Sequence, residues 1–172
     1  MHELTRRSVL ALGAAGAAGL AAGLISASAL PALAGAGVPV DMNADADGVM
    51  LHGYDPVAYF TDNAAVPGDP AIAAEHGGVR YLFASAAHRD TFLADPEKYV
   101  PAYGGHCAMG AAMGLKLDVD PKLFRVVDGK LYLNVHEMAQ KRWLSDVPGN
   151  IATADAKWPE IRNIPADKLQ AN

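Results

Sequence analysis

Hydrophobic residues change their spacing along this chain. From Ser8 to Ala34 they run without a single charge, and Leu10, Leu12, Leu20, Leu24 and Ile25 are diluted by Ala and Gly. Gly35–Gly48 reads as a linker of small and acidic residues. Beyond it, short apolar runs are cut by turn signals, the pattern of alternating short strands and helices. Val49–Leu51 fits a short strand. Asp55-Pro56 opens a helical turn reaching Phe60, with Asp as N-cap and Pro at the first position. Residues 61–70 are dense in breakers and read as a loop. Ala71–His76 and Val79–Ala84 flank Gly77-Gly78, and Leu123–Val127 and Lys130–Leu133 flank Asp128-Gly129. Both dipeptides are two-residue hairpin signals.

The remaining elements are helical. Ser85 caps a helix through Ala94, with Phe92 and Leu93 turned inward, and Asp95-Pro96 starts a turn reaching Tyr99. Residues 106–114, rich in Met and Ala, read as a helix after Gly104-Gly105. Asn134-x-x-Glu137 fits a capping box, opening a helix to about Ser145 that Pro148-Gly149 stops. A short helix over Thr153–Lys157 ends at Pro159, and the tail frays after Pro165. No internal repeat is evident. The expectation is an α+β fold: a small single domain with two short β-hairpins packed against several short helices.

Charge and composition assign the segments different jobs. Met1–Arg7 is polar, Arg6-Arg7 precede the uncharged stretch, and Pro31-Ala32-Leu33-Ala34 closes it with a small-x-small cleavage pattern. Residues 1–34 therefore read as a signal peptide cleaved near Ala34. Thr5-Arg6-Arg7-Ser8-Val9-Leu10 resembles the twin-arginine motif, which implies the twin-arginine export machinery as a partner and a periplasmic or otherwise exported destination. The alternative is an uncleaved membrane anchor. Without residues 1–34 the chain keeps 12 basic and 18 acidic residues in 138, a net charge of −6. That balance argues against a nucleic-acid partner. One cysteine excludes an internal disulfide framework, a four-cysteine zinc site and a dithiol cycle within one chain.

One stretch concentrates chemistry. His106-Cys107-Ala108-Met109-Gly110-Ala111-Ala112-Met113 holds imidazole, thiol and two thioethers within eight residues. Such donors favour copper, above all Cu(I), or zinc. On a helix over 106–114, His106, Met109 and Met113 share one face. Gly104 or Gly105, taking positive φ, would aim Cys107 and the following N–H groups into a pocket walled by Tyr99 and Tyr103. His52 approaches if the N-terminal segment packs over the site. His136 reads as surface, and His76 and His88 as solvated. The plainer alternative is core packing: Met and Ala at helical spacing usually fill a core, and a lone cysteine is usually a small buried hydrophobe. A third possibility is a reactive thiolate at Cys107, its pKa lowered by a helix N-terminus and by a protonated His106. The chain carries no Ser-His-Asp order, phosphate loop, dinucleotide fingerprint or HExxH pattern.

Three further segments fall into a pattern. They are Gly53-Tyr54-Asp55-Pro56-Val57-Ala58-Tyr59-Phe60; Tyr81-x-Phe83-x-Ser85 with Phe92, Pro96, Tyr99, Pro101 and Tyr103-Gly104-Gly105-x-Cys107-Ala108; and Asp128-Gly129-Lys130-Leu131-Tyr132-Leu133-Asn134 with Trp143 beyond. Together they resemble the YHS domain family, in its exported single-domain branch. The likeness covers roughly 49–158, leaving 159–172 as a C-terminal tail. It implies a compact α+β unit related to small metal-handling domains, with no well-defined reaction. It also implies that some relatives carry selenocysteine where Cys107 stands, and that His106 replaces a residue often aromatic in relatives. The expected function is metal binding, copper before zinc, at a His–Cys site drawn from Cys107, His106, Met109, Met113 and His52. The alternatives are a thiol-based redox enzyme with Cys107 as nucleophile, or a non-catalytic structural or interaction module.

Overall fold

A computed structural model describes residues 37–169. The signal peptide read over 1–34 lies outside them, as do residues 35–36 and 170–172. No described helix is long and apolar enough to cross a membrane. The described part of the segment read as a linker is packed onto the domain. Asn43 N–H donates to the Gly104 carbonyl at 2.8 Å, and Met42 packs against the core.

The strand expected at Val49–Leu51 is replaced by isolated bridges, Val49 to Arg80 and Met50 to Ala44, followed by a 3-10 turn over Leu51–Gly53. Asp55 then starts α1 (Ala58–Thr61) by accepting the N–H groups of Val57 at 2.8 Å and Ala58 at 3.3 Å. Strands β1 (Asp69–His76) and β2 (Val79–Phe83) pair antiparallel around Gly77-Gly78, both at positive φ. Ser85 Oγ caps α2 (Ala86–Ala94), and α3 (Pro96–Tyr99) follows from Asp95. Phe92 is fully buried, but Leu93 is 54% exposed. One step along a helix turns a side chain by about 100°, so the two neighbours cannot share an inward face.

A second 3-10 turn, Ala102–Gly105, leads into α4 (Ala108–Ala112), shorter than the helix expected over 106–114. Strands β3 (Asp120–Val127) and β4 (Lys130–Asn134) form the second antiparallel pair, around Asp128-Gly129. Helix α5 (Glu137–Leu144) is capped by His136 Nδ1, not by Asn134, which is the last residue of β4. Helix α6 (Val147–Ile161) starts at Asp146 with Pro148 in its first turn and runs through Pro159. Pro148 therefore opens a helix here, and Pro159 sits in a last turn held down by buried Ala154 and Ile161. Among the described residues the fold is a small α+β domain of six α-helices and two two-stranded antiparallel sheets.

The architecture contains a repeat that the sequence pattern conceals. Adding 51 to the residue numbers maps β1 onto β3, β2 onto β4 and the start of α2 onto the start of α5. The register irregularity between Asp69 and Ala73 maps onto the one between Asp120 and Phe124. The helix caps Ser85 and Asp95 map onto His136 and Asp146, and buried Phe92 maps onto buried Trp143. Between 69–95 and 120–146, identities are confined to Asp69/Asp120, Pro70/Pro121, Gly78/Gly129, Tyr81/Tyr132, Leu82/Leu133, Leu93/Leu144 and Asp95/Asp146. The lead-in turns correspond as well, at an offset of 52, because the first half carries one residue more between its turn and its first strand. Leu51, His52 and Gly53 take φ of 57°, 51° and 82°, and Tyr103, Gly104 and Gly105 take 54°, 58° and 82°.

Candidate functional site

That correspondence places Asp55 and Cys107 as counterparts, each two residues beyond the last positive-φ glycine. Asp55 is fully buried, and its carboxylate accepts from the N–H groups of Val57, Ala58 and Ala84, the last at 2.8 Å. Cys107 is also fully buried. Its sulfur accepts from Gly110 N–H at 3.3 Å, and the N–H groups of Val135 and Met109 also favour its ionised form. Val57, Ala58 and Ala84 correspond to Met109, Gly110 and Val135. The same backbone cradle therefore holds a carboxylate in the first half and a sulfur in the second. Burial dominates and pushes the Cys107 thiol up, with the three N–H groups pulling the other way. The thiol lies 3.7 Å from Asn134 Oδ1, which also accepts Met109 N–H at 3.4 Å.

The two halves differ in what faces the cradle. Asp55 Oδ2 lies 2.6 Å from His88 Nδ1. His88, expected in solvent, thus forms an ion pair whenever its ring is protonated. The residue 51 positions on is Ala139, which has no side chain to reach the sulfur. There a pocket of about 260 Å³ opens, lined by Cys107, Met109, Met113, Met138, Ala139 and His136. Leu115, Leu117 and Val135 make its walls apolar, and Arg142 reaches it from α5. Met109 is buried, Met113 is 47% exposed and Met138 is 78% exposed.

The expected site residues divide between different environments. Cys107, Met109 and Met113 line one pocket. His106 does not; its ring packs 6.0 Å from Trp158, 4% exposed, with both nitrogens buried and unbonded. The Leu117 carbonyl lies near the ring without completing a well-formed hydrogen bond. Burial, helped by the neighbouring Lys116 ammonium, pushes the His106 pKa down to about 4. His52 lies elsewhere again, with Nε2 2.8 Å from Asp118 Oδ1, and shares a different cavity with Asn43 and Asp45. The 106–114 helix would have put His106 beside Met109. Because α4 begins only at Ala108, His106 precedes it in extended backbone and its ring faces α6.

Both glycines take positive φ, but the pocket is not walled by Tyr103, which lines a separate cleft, and Tyr99 lines neither cavity. The first two N–H groups after the glycines turn away, His106 N–H donating to Tyr103 O and Cys107 N–H to Leu117 O, whereas those of Met109 and Gly110, beyond the cysteine, face its sulfur. Sequence reasoning missed Asn134, Met138 and Ala139. A polar residue on the strand face of the buried Tyr132 was a signal for Asn134, while Ala139 carries none without its counterpart His88.

His136 lines the pocket but is not free to ligate. Its Nδ1 accepts Ala139 N–H at 3.0 Å, so the neutral ring carries its proton on Nε2 and presents a donor. No cluster of three or more His, Cys, Asp or Glu able to hold a metal occurs among the described residues. The donors gathered around Cys107 are thioethers. No family model matches the chain, and neither a curated protein nor a solved structure matches it.

Proposed function

We propose that this chain is an exported YHS-type domain that holds a soft monovalent cation, Cu(I), on the Cys107 sulfur. The observation that carries this reading is the contrast between the two cradles. Each is built for an anion; one faces His88, and the other faces a pocket where Ala139 leaves the compensating cation out. The pocket supplies soft donors, the thioethers of Met109, Met113 and Met138, beside the sulfur. A monovalent ion on a thiolate is neutral overall and suits an apolar wall. A divalent zinc ion would leave an uncompensated positive charge there, near Arg142. The thiol must release its proton as the ion enters, and the N–H groups of Gly110, Val135 and Met109 then hold the thiolate. His106 and His52 are left out of the ligand set because neither lines this pocket. A redox nucleophile is disfavoured by the thiol's complete burial. Export, read from Arg6-Arg7 and the cleavage pattern at Ala34, would place the domain where copper is handled outside the cytoplasm.

Anaerobic titration with Cu(I) against a chromophoric chelator tests the proposal. Wild type should take one equivalent, Cys107→Ala should lose about 100-fold in affinity, and Ala139→His should lose about tenfold or more by restoring the His88 counterpart. Thermal melts would verify that both variants fold. Equal affinity in wild type and Cys107→Ala would end the metal reading. Rapid native-state labelling of Cys107 with consumption of peroxide would move it to the redox class.

A further inference from the structure

A second cavity, of about 630 Å³, lies between the two halves of the repeat and shares no lining residue with the Cys107 pocket. We infer that it binds an organic amine in its protonated form, an ammonium group carried on an apolar body. Its volume falls in the range of small-molecule sites, which favour boundaries between structural units. The repeat places equivalent residues around it: Tyr81 from β2 and Tyr132 from β4 both line the cleft.

Charge selects the ligand. Asp41, Glu97, Asp128 and Asp155 line the cleft against only Lys130 and Arg162, and Arg162 is already bound to Asp41 at 2.8 Å. An anionic ligand would meet surplus carboxylates, whereas an ammonium would be drawn in.

A separate observation points to a missing partner. Tyr81 is fully buried, and its hydroxyl has no hydrogen-bond partner. Burial, reinforced by Glu97, keeps it a neutral phenol, with lone pairs able to accept from N–H. A buried hydroxyl left unpaired is costly enough to require an account, and a ligand donor supplies one. Tyr103 and Trp158 complete an aromatic lining, with Tyr103 5.7 Å from Trp158 and 5.9 Å from Tyr132. Aromatic rings attract cations through their quadrupoles. The Tyr103 hydroxyl donates to Asp155 at 2.9 Å, which holds that carboxylate at the cleft wall.

Calorimetry with three probes of one shape tests this: phenethylammonium, 2-phenylethanol and phenylacetate, at neutral pH and low salt. The ammonium should bind at least about tenfold tighter than the alcohol, with the carboxylate weakest. Asp155→Asn, which keeps an acceptor for Tyr103, and Tyr81→Phe should each weaken the ammonium by about tenfold. Tyr81→Phe should leave the melting temperature unchanged or raised, since the hydroxyl has no protein partner to lose. Cys107→Ala should bind the ammonium as wild type does, which separates this site from the proposed copper site. Three equal affinities, a preference for phenylacetate, no saturable ammonium binding, or unaltered binding in Tyr81→Phe would each overturn the inference.

Discussion

His106→Phe is expected to stabilise the domain and to remove a pH dependence. The imidazole is buried against Trp158 with both nitrogens unbonded, and its pKa is held near 4, first by burial and then by Lys116. Asp118, Asp41 and the Leu117 carbonyl oppose that shift without reversing it. In the unfolded chain the ring titrates at its ordinary value of about 6.5. Between roughly pH 4 and 6.5 the unfolded state therefore binds one more proton than the folded state. The stability contributed by the neutral ring is complete above pH 6.5 and is lost as pH falls through that window. At about 1.4 kcal/mol per pH unit the loss amounts to on the order of 3 kcal/mol. Phenylalanine keeps the contact with Trp158 and has no proton to lose, and it removes two unpaired buried nitrogens, which adds roughly 1 kcal/mol at neutral pH. The assay is urea unfolding of wild type and His106→Phe from pH 7.5 to 4.5. The difference between them should widen by on the order of 2–3 kcal/mol as pH falls. The other histidines are the same in both proteins, so their contributions cancel in the difference. Parallel pH profiles, or a variant less stable at pH 7.5, would refute the argument.

Three other substitutions probe the frame around the site. Lys116 is almost fully buried, and its ammonium donates to the carbonyls of Val40, Arg162 at 3.0 Å and Ile164 at 2.7 Å, clasping the N-terminal segment to the end of α6. Lys116→Met should cost on the order of 3 kcal/mol in chemical denaturation and speed amide exchange around residues 40–43. At Gly104, φ is +58° and a Cβ would overlap the Asp41 carbonyl oxygen, whereas at Gly129, φ is +74° and a Cβ would meet nothing within 4 Å. Gly104→Ala should therefore cost about 3 kcal/mol against about 1 kcal/mol for Gly129→Ala, and equal losses in thermal melts would show that the close approach is not what requires glycine at 104.

Signals carried by neighbouring residues were legible in the sequence. Gly77-Gly78 and Asp128-Gly129 mark their hairpins because only a tight positive-φ turn joins the flanking runs, and Ser85 marks the start of α2 because its hydroxyl meets an N–H three residues away. These local rules, with the alternation of apolar positions, determined the α+β class. They misplaced what depends on distant partners. Asn134 looks like a helix cap until β4 claims it, and Pro159 looks like a stop until the buried face of α6 outweighs it. The repeat was hidden because packing conserves register, caps and buried bulk, as in Phe92 and Trp143, while leaving few identities. The donors around Cys107 were decided in the same way. Adjacent residues in extended backbone point apart, so His106 and Cys107, side by side in the chain, face Trp158 and Asn134. Met138 and Ala139 reach the sulfur's pocket from α5, some thirty residues further on, because helices α4 and α5 pack together and nothing in either segment alone encodes that contact.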